Sequence, residues 1–275
     1  VAYLKERDPA HVAFINLQPC YATPKQLGIT LCNLVTFDRY GDYLREFVAT
    51  VKPGILSYDH YYLYKKANLP DFFLNLEKVR ETALNSNIPF INIIQACQWT
   101  ADWKMPNAAE LRLMAYSTLA YGGRGVAYFL YWGPTAYGGL YRDGKPMPVI
   151  KAVAKLNSEI AALSPELMRL KSIGVYHTGA LPNGTKPLPA NSRIKVESAS
   201  PLVVGLFSDG SRSDFAMIVN RDSASVAQVN LNALNRKTVY EFDRALKGWK
   251  RIANGSGSAR LQLEAGDGKL LKMDF

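Results

Sequence analysis

The stretch NAAELRLMAYSTLAYGGRGVAYFLYW (residues 107–132) decides how the chain folds. Its first part (107–122) reads as a helix in which Asn107 stands at the N-cap and Glu110 follows three residues on, the pattern of a capping box. The GGRG of 122–125 stops that helix. GVAYFLYW (125–132) then runs almost without a polar residue, as strands covered on both faces do. A helix handing over through a short glycine turn to a buried strand is the repeating piece of a parallel α/β fold.

Working outward, three more apolar runs read as buried strands: HVAFINLQP (11–19), GILSYDHY (54–61) and PFINIIQAC (89–97). Helical patterns alternate with them at YGDYLREFVATV (40–51), LPDFFLNLEKVRETALNSN (69–87) and MPVIKAVAKLNSEIAAL (147–163). The second opens with Pro70 and carries apolar Phe73, Leu76, Val79, Ala83 and Leu84 at helical spacing. The strands start roughly 35 to 43 residues apart, the length of a strand, loop, helix and loop. Because crossovers are right-handed, four such units give an open parallel sheet or half of an eight-stranded barrel. The opening VAYLKERDPAH (1–11) reads as the last turn or two of a helix stopped at Asp8-Pro9. The expectation is therefore a chain that begins inside a unit; a full barrel would need about 150 more residues upstream.

After residue 165 the texture changes. KSIGVYHTG (171–179), SPLVVGLFSDG (200–210), SDFAMIVNRD (213–222), SVAQVNLNA (225–233), KTVYEFDRA (237–245) and ARLQLEAGDGKLLKMDF (259–275) are short, alternating and bounded by Gly, Asn, Asp and Ser. That is the pattern of an antiparallel sandwich, with LPNGTKPLPAN (181–191) as a long loop. The expected class is α/β: a half-barrel of four parallel βα units over 1–165, then a small antiparallel β-sandwich over 166–275.

The chain has 275 residues, 48% of them hydrophobic, enough to bury a sizeable core. No run reaches the roughly 18 to 20 apolar residues of a membrane helix, and no signal-peptide pattern opens the sequence, so no membrane partner is expected. The formal charge of +10 is spread over single Lys and Arg residues, with short groups at RALKGWKR (244–251) and LYKK (63–66). Nucleic-acid binding, which needs a continuous basic face, is not expected either. Cys20, Cys32 and Cys97 lack metal-type spacing; a Cys20–Cys32 disulfide is open but not indicated. His11 and His177 have no partners at metal-ligand spacing, and Ser57 has no flanking nucleophile-elbow glycines. No metal and no cofactor is expected.

Four segments carry a resemblance: DPAHVAFINLQPCYATPKQLG, YGDYLREFVATVKPGILSYDHY, NLEKVRETALNSNIPFINIIQA and AELRLMAYSTLAYGGRGVAYFLYWGP. In that order they resemble the second half of a (β/α)8-barrel glycoside hydrolase of the β-galactosidase-like, clan A type. LAYGGRGVAYFLYW is similar to the last helix and eighth strand of that group, and LQLEAGDGKLLKMDF to the closing strands of its appended β-domain. The resemblance covers most of residues 3–175 and the final strands. It implies hydrolysis of glycosidic bonds in plant or bacterial oligo- or polysaccharides, a carbohydrate substrate, and a periplasmic or extracellular location. The residues themselves do not fix the compartment. Retaining enzymes of the clan place an acid Glu after the fourth strand, which would lie upstream of Val1, and a nucleophile Glu at the end of the seventh. At the second place this chain has IIQACQW, with Gln95 and Gln98 and no carboxylate.

Glycosidases ordinarily use two carboxyl groups, about 5 to 5.5 Å apart for retention or about 6.5 to 9.5 Å for inversion. Asp59 is the best candidate for one, since it ends an apolar run where barrel enzymes keep their chemistry. Asp102 and Asp143, in YRDGKP, are weaker candidates. Asp59 with His60 admits two readings: a carboxylate whose neighbouring imidazole binds sugar hydroxyls, or a turn cap beside a His packed among Tyr58, Tyr61, Tyr62 and Tyr64. Amides and aromatics at the other strand ends extend the candidate sugar rim: Asn16 and Gln18, then Gln95, Gln98 and Trp99, then Tyr131 and Trp132. Each could equally be a core or interface residue. Glu110 and Arg112 read as a cap and a surface ion pair.

The expected activity is glycoside hydrolysis with Asp59 as one carboxylate and Tyr58, His60 and Asp102 among the substrate-binding residues. Two other readings stand beside it. One is a non-catalytic carbohydrate-binding or scaffold fragment of a larger barrel hydrolase. The other is a half-barrel that self-associates, because four strands leave edges and an apolar inner face uncovered.

Overall fold

The computed structural model describes residues 1–28, 39–132 and 137–275; Cys32 lies outside them. A short helix α1 (Ala2–Arg7) leads to β1 (Asn16–Leu17). Then α2 (Arg39–Val51), β2 (Leu56–Asp59), α3 (Phe72–Asn85), β3 (Phe90–Gln95), α4 (Ala108–Ala120) and β4 (Gly125–Phe129) alternate. The four strands form one parallel sheet in the order β1-β2-β3-β4, as the spacing predicts for a partial α/β barrel. A hairpin of β5 (Tyr141–Arg142) and β6 (Lys145–Pro146) precedes the long helix α5 (Val149–Arg169).

Register fixes which residues share a face. Ser57 pairs with Ile91 and Ile91 with Gly125; Asp59 pairs with Ile93 and Ile93 with Ala127. The alternate residues, Leu56, Tyr58, Phe90, Asn92 and Ile94, are buried, and the apolar ones share a core with Leu44, Leu76, Val79, Leu111 and Met114 of the helices. The near-continuous apolar runs predict strands covered on both faces. The structure differs: helices cover one face, while Ile91, Ile93 and Ala127 on the other are only half-buried and Val12, Phe14 and Ile15 before β1 are exposed.

The β-region comprises β7 (Lys171–His177), β8 (Ile194–Glu197), β9 (Leu202–Ser208), β10 (Asp214–Asn220), β11 (Ala227–Ala233), β12 (Thr238–Asp243), β13 (Gly248–Asn254), β14 (Ser258–Leu263) and β15 (Gly268–Asp274). They form two antiparallel sheets, β13-β12-β15-β10-β9-β7 and β14-β11-β8. Leu202, Val204, Ala216 and Ile218 from the larger sheet meet Val229, Leu231, Leu261 and Leu263 from the smaller, a sandwich core. Strands β8 and β13 are absent from the sequence reading, and 259–275, read as one stretch, divides between the two sheets.

The joint between the halves is α4. Leu111, Leu113, Met114, Ala115, Tyr116, Ser117, Leu119 and Ala120 are all buried, so the helix has no solvent face and no amphipathic stripe. One side packs on β3 and β4, the other on β9, β10 and β15. Two glycines permit that approach. A Cβ on Gly205 would stand 2.1 Å from the carbonyl oxygen of Ala120, and one on Gly266 would stand 2.0 Å from that of Ala109. The capping box forms as expected: Asn107 Oδ1 accepts from the Glu110 amide, and Glu110 Oε2 accepts from the Asn107 amide. Glu110 also pairs with Lys104. Arg112 is no surface ion pair; its guanidinium donates to the carbonyl of Ala265 at 2.7 Å, tying α4 to the sandwich.

Candidate functional site

Asp59 ends β2 at the C-terminal edge of the parallel sheet. Its neighbour in space comes from β1. Asn16 pairs with Ser57 in register, so its amide lies beside the last turn of β2. Asn16 Nδ2 donates to Asp59 Oδ2 at 2.7 Å, and Ser57 Oγ donates to Asn16 Oδ1 at 3.0 Å. The serine thereby sets which end of the amide faces the carboxylate. The Tyr61 phenol lies near enough to the same carboxylate to act on its ionisation.

Burial raises the pKa of Asp59 above the ordinary carboxylate value, while the Asn16 bond and then the nearby Tyr61 phenol pull it back down by favouring the anion. The phenol of Tyr61 is pushed up in turn, first by burial and then by the adjacent Asp59 charge. It remains a hydrogen-bond donor throughout the physiological range.

An aromatic wall continues from this carboxylate. The ring of Tyr61 stacks on Phe129 at the end of β4, centroids 4.8 Å apart, and touches Trp103 at 5.3 Å. Trp99 packs on the same Phe129 at 5.4 Å and is 40% exposed. An anionic acceptor, an amide donor, a phenol and one exposed flat ring, that of Trp99, therefore gather at this edge of the sheet.

The other expected site residues divide. Gln18 is exposed beyond β1, its amide N–H donating to Tyr43 Oη. Tyr131 and Trp132, 64% and 57% exposed, follow β4, with Tyr131 against Tyr141. Gln98 is half-buried, and its amide closes the 98–101 turn on the carbonyl of Thr100. Asp102 is exposed, its carbonyl accepting from the Lys65 amide. Asp143 sits with Gly144 at the tip of the β5–β6 hairpin, both with positive φ, as a tight two-residue turn requires.

Three expected rim residues point elsewhere. Tyr58 is fully buried in the core under the helices, because its side chain alternates with that of Asp59. His60 is 1% exposed; its Nδ1 lies 3.0 Å from Asn75 Oδ1 and its ring sits edge-on to Tyr21 and Phe72. Burial lowers its pKa, so it is a neutral packing group. Gln95 is fully buried, and its amide clamps two loops by bonding Leu63 and the carbonyl of Lys104. Cys20, His60 and Asn75 form a further cluster, yet it is no thiol catalyst. Burial pushes the Cys20 thiol up to about 12, and the nearest imidazole nitrogen, 4.0 Å away, is the one already held by Asn75.

Sequence reading missed Ser57 as a partner of the site and left Tyr61 among the packing tyrosines. Ser57 could have been found from strand period, since it lies two residues before Asp59 and so on the same face. Among the described residues no three His, Cys, Asp or Glu side chains gather as a metal site, and no helix is long and apolar enough to cross a membrane.

No protein-family model matches the chain, and no curated protein sequence matches it. Among solved structures it is similar to a β-galactosidase from the psychrophilic Marinomonas ef1, with 16% identity and a TM-score of 0.43 over 62% of this chain and 27% of that one. It is also similar to α-galactosidase I from Mortierella vinacea, with 13% identity and a TM-score of 0.43 over 94% and 67%. A noncanonic maltogenic α-amylase from Thermotoga neapolitana shares 9% identity at a TM-score of 0.39 over 100% and 64%. The chain thus spans about a quarter of the first and about two thirds of the others.

Proposed function

We propose that the opening around Asp59 is a carbohydrate site and that the chain is part of a barrel glycoside hydrolase, with Asp59 as one of the carboxyl groups that flank the scissile bond. The observation that supports this most is the setting of Asp59. A half-buried carboxylate at a strand's C-terminal end accepts from Asn16, has the Tyr61 phenol beside it and is followed by the packed rings of Tyr61, Phe129 and Trp99. Burial that raises its pKa while directed donors keep it ionisable suits a group that exchanges a proton with a glycosidic oxygen or with water. Trp99 and the ring of Phe129 would hold the sugar's C–H face. The finer reading, β-galactosidase-like hydrolysis of plant or bacterial saccharides, rests on the sequence resemblance.

A second reading has its own observation. No other carboxylate among the described residues is hydrogen-bonded into the Asp59 cluster, so the opening could bind sugar without cleaving it. A panel of chromogenic galactosides, glucosides and arabinosides separates the two. Turnover by the wild-type chain that Asp59→Asn abolishes while saccharide binding persists supports catalysis. Binding without turnover favours the second reading, and equal turnover by both proteins removes Asp59 from the mechanism.

A further inference from the structure

At the far end of the molecule the β-sandwich carries a groove of about 670 Å³ between β7, β9, β10 and the 189–193 segment. We propose that this groove binds an acidic sugar, with Arg212 and Arg193 holding the carboxylate of a uronic acid residue whose ring rests against Ile173 and Phe275.

The groove is separate from the opening at Asp59. Arg124, just before β4, donates to the carbonyls of Leu167 and Leu170, which places the last turn of α5 at the N-terminal edge of the parallel sheet. Arg169, at that end of α5, pairs with Asp209 on the β9–β10 hairpin beside the groove. Asp59 ends β2 at the opposite edge of the same sheet, so the inference does not depend on the function proposed there.

Its floor is preorganised. Arg236, with a side chain only 2% exposed, binds Asp214 Oδ2 at 2.7 Å, donates to the carbonyl of Arg212 at 3.0 Å and stacks on Phe275 at 3.7 Å. That pair is internally neutral and fixes both walls. The charged side chains lining the groove are three arginines against one aspartate, and Arg236 binds that aspartate, which leaves Arg193 and Arg212 as the groove's exposed cations. Arg193 is 68% exposed and stands 3.7 Å from the already engaged Asp214; the Arg212 side chain has no hydrogen-bond or ionic partner among the described residues.

The ligand class follows from what surrounds those cations. A guanidinium fork matches a carboxylate in two parallel hydrogen bonds. Ser192 and Ser211 accept from the Ile194 and Ser213 amides, so their hydroxyl protons remain to donate to a ligand's hydroxyls. Ile173 and Phe275, 62% and 65% exposed, offer an apolar wall to a ring's C–H face. A fatty acid would leave the hydroxyls unmatched, and a neutral sugar would leave the arginines so.

The test is isothermal titration of trigalacturonate, neutral galactotriose, acetate and inorganic phosphate into the intact chain and into Arg212→Ala, Arg193→Ala and Asp59→Asn, with folding checked by circular dichroism. Expected are measurable trigalacturonate binding and a loss of about tenfold in each folded arginine variant, while any binding of the neutral trimer is the same in the wild type and in both arginine variants. The proposal is overturned if trigalacturonate does not bind, if acetate or phosphate binds as tightly, if the arginine variants weaken the neutral trimer as much as trigalacturonate, or if both folded arginine variants keep the wild-type affinity for trigalacturonate. A loss confined to Asp59→Asn would move the acidic-sugar site to the other opening and equally end this one.

Discussion

Asn16 and Asp59, 43 positions apart in sequence, meet at 2.7 Å because the first two strands of the sheet run parallel in register. The amide end that faces the carboxylate is chosen by Ser57, whose hydroxyl holds the opposite end. An amide donor stabilises the anion, so removing it favours the protonated acid. Asn16→Ala is expected to move the titration of Asp59 to higher pH. Ser57→Ala, which frees the amide to turn, should move it less and in the same direction. Carboxyl-carbon NMR of the three proteins measures both shifts; a shift to lower pH in Asn16→Ala would contradict the relay.

That pair also shows how far the sequence could be read. Asp59 was legible because a polar side chain ending an apolar run marks a strand's end, and four such runs at even spacing marked the parallel sheet; Asn16 instead opens β1, which is only two residues long. Tyr58 and His60 were placed on the rim although a strand's period of two sends the neighbours of an inward Asp59 outward. Gln95 was not legible, since its role depends on two loops brought to it by the fold. β13 escaped notice because it is an edge strand bearing exposed Lys250 and Arg251, which hide its alternation. β8 has only four residues behind a Pro- and Asn-rich loop. The lack of an amphipathic stripe on α4 had a tertiary cause, the second sheet packed on its far side.

His177 is 1% exposed, with Nε2 on the Tyr121 hydroxyl at 2.8 Å. Burial, reinforced by the Arg221 charge, lowers its pKa to about 3. The unfolded chain protonates this imidazole near pH 6.5 and the folded chain does not, so the stability it contributes is full above 6.5 and is lost as pH falls towards 3. The expected slope from this group is about 1.4 kcal/mol per pH unit. His60, shifted in the same direction by burial, adds to it. Urea unfolding between pH 7 and 4 should therefore show a shallower loss in His177→Gln than in the wild type. Parallel curves would mean that His177 titrates normally in the fold.

Gly205 lets β9 approach α4 until the space for a side chain is taken by the Ala120 carbonyl. A methyl group there must push backbone from backbone, because no flexible side chain is available to yield. Gly205→Ala is expected to cost about 2 kcal/mol or more in chemical denaturation. At Gly210, where a Cβ meets nothing within 4 Å, the strain comes only from its positive φ, so Gly210→Asn should cost far less. Equal losses at the two sites would show that the β9–α4 contact does not limit stability.

Arg244 joins the two halves from the sandwich side. Its guanidinium takes both oxygens of Asp267, at 3.0 and 3.1 Å, lies 3.4 Å from Glu159 of α5, and bonds the Tyr116 hydroxyl of α4, which itself donates to Glu159 at 2.8 Å. Asp267 and Glu159 are mostly buried, so removing the cation leaves two carboxylates close together without compensation. Arg244→Met is expected to cost about 3 kcal/mol, more than exposed ion pairs contribute. Asp267→Asn relieves part of that repulsion, so the double variant should be less destabilised than the sum of the singles, with a coupling of about 1 to 3 kcal/mol. Unfolding free energies of the four proteins complete the cycle, and strict additivity would show that Arg244 acts through packing on the Tyr116 ring rather than through charge.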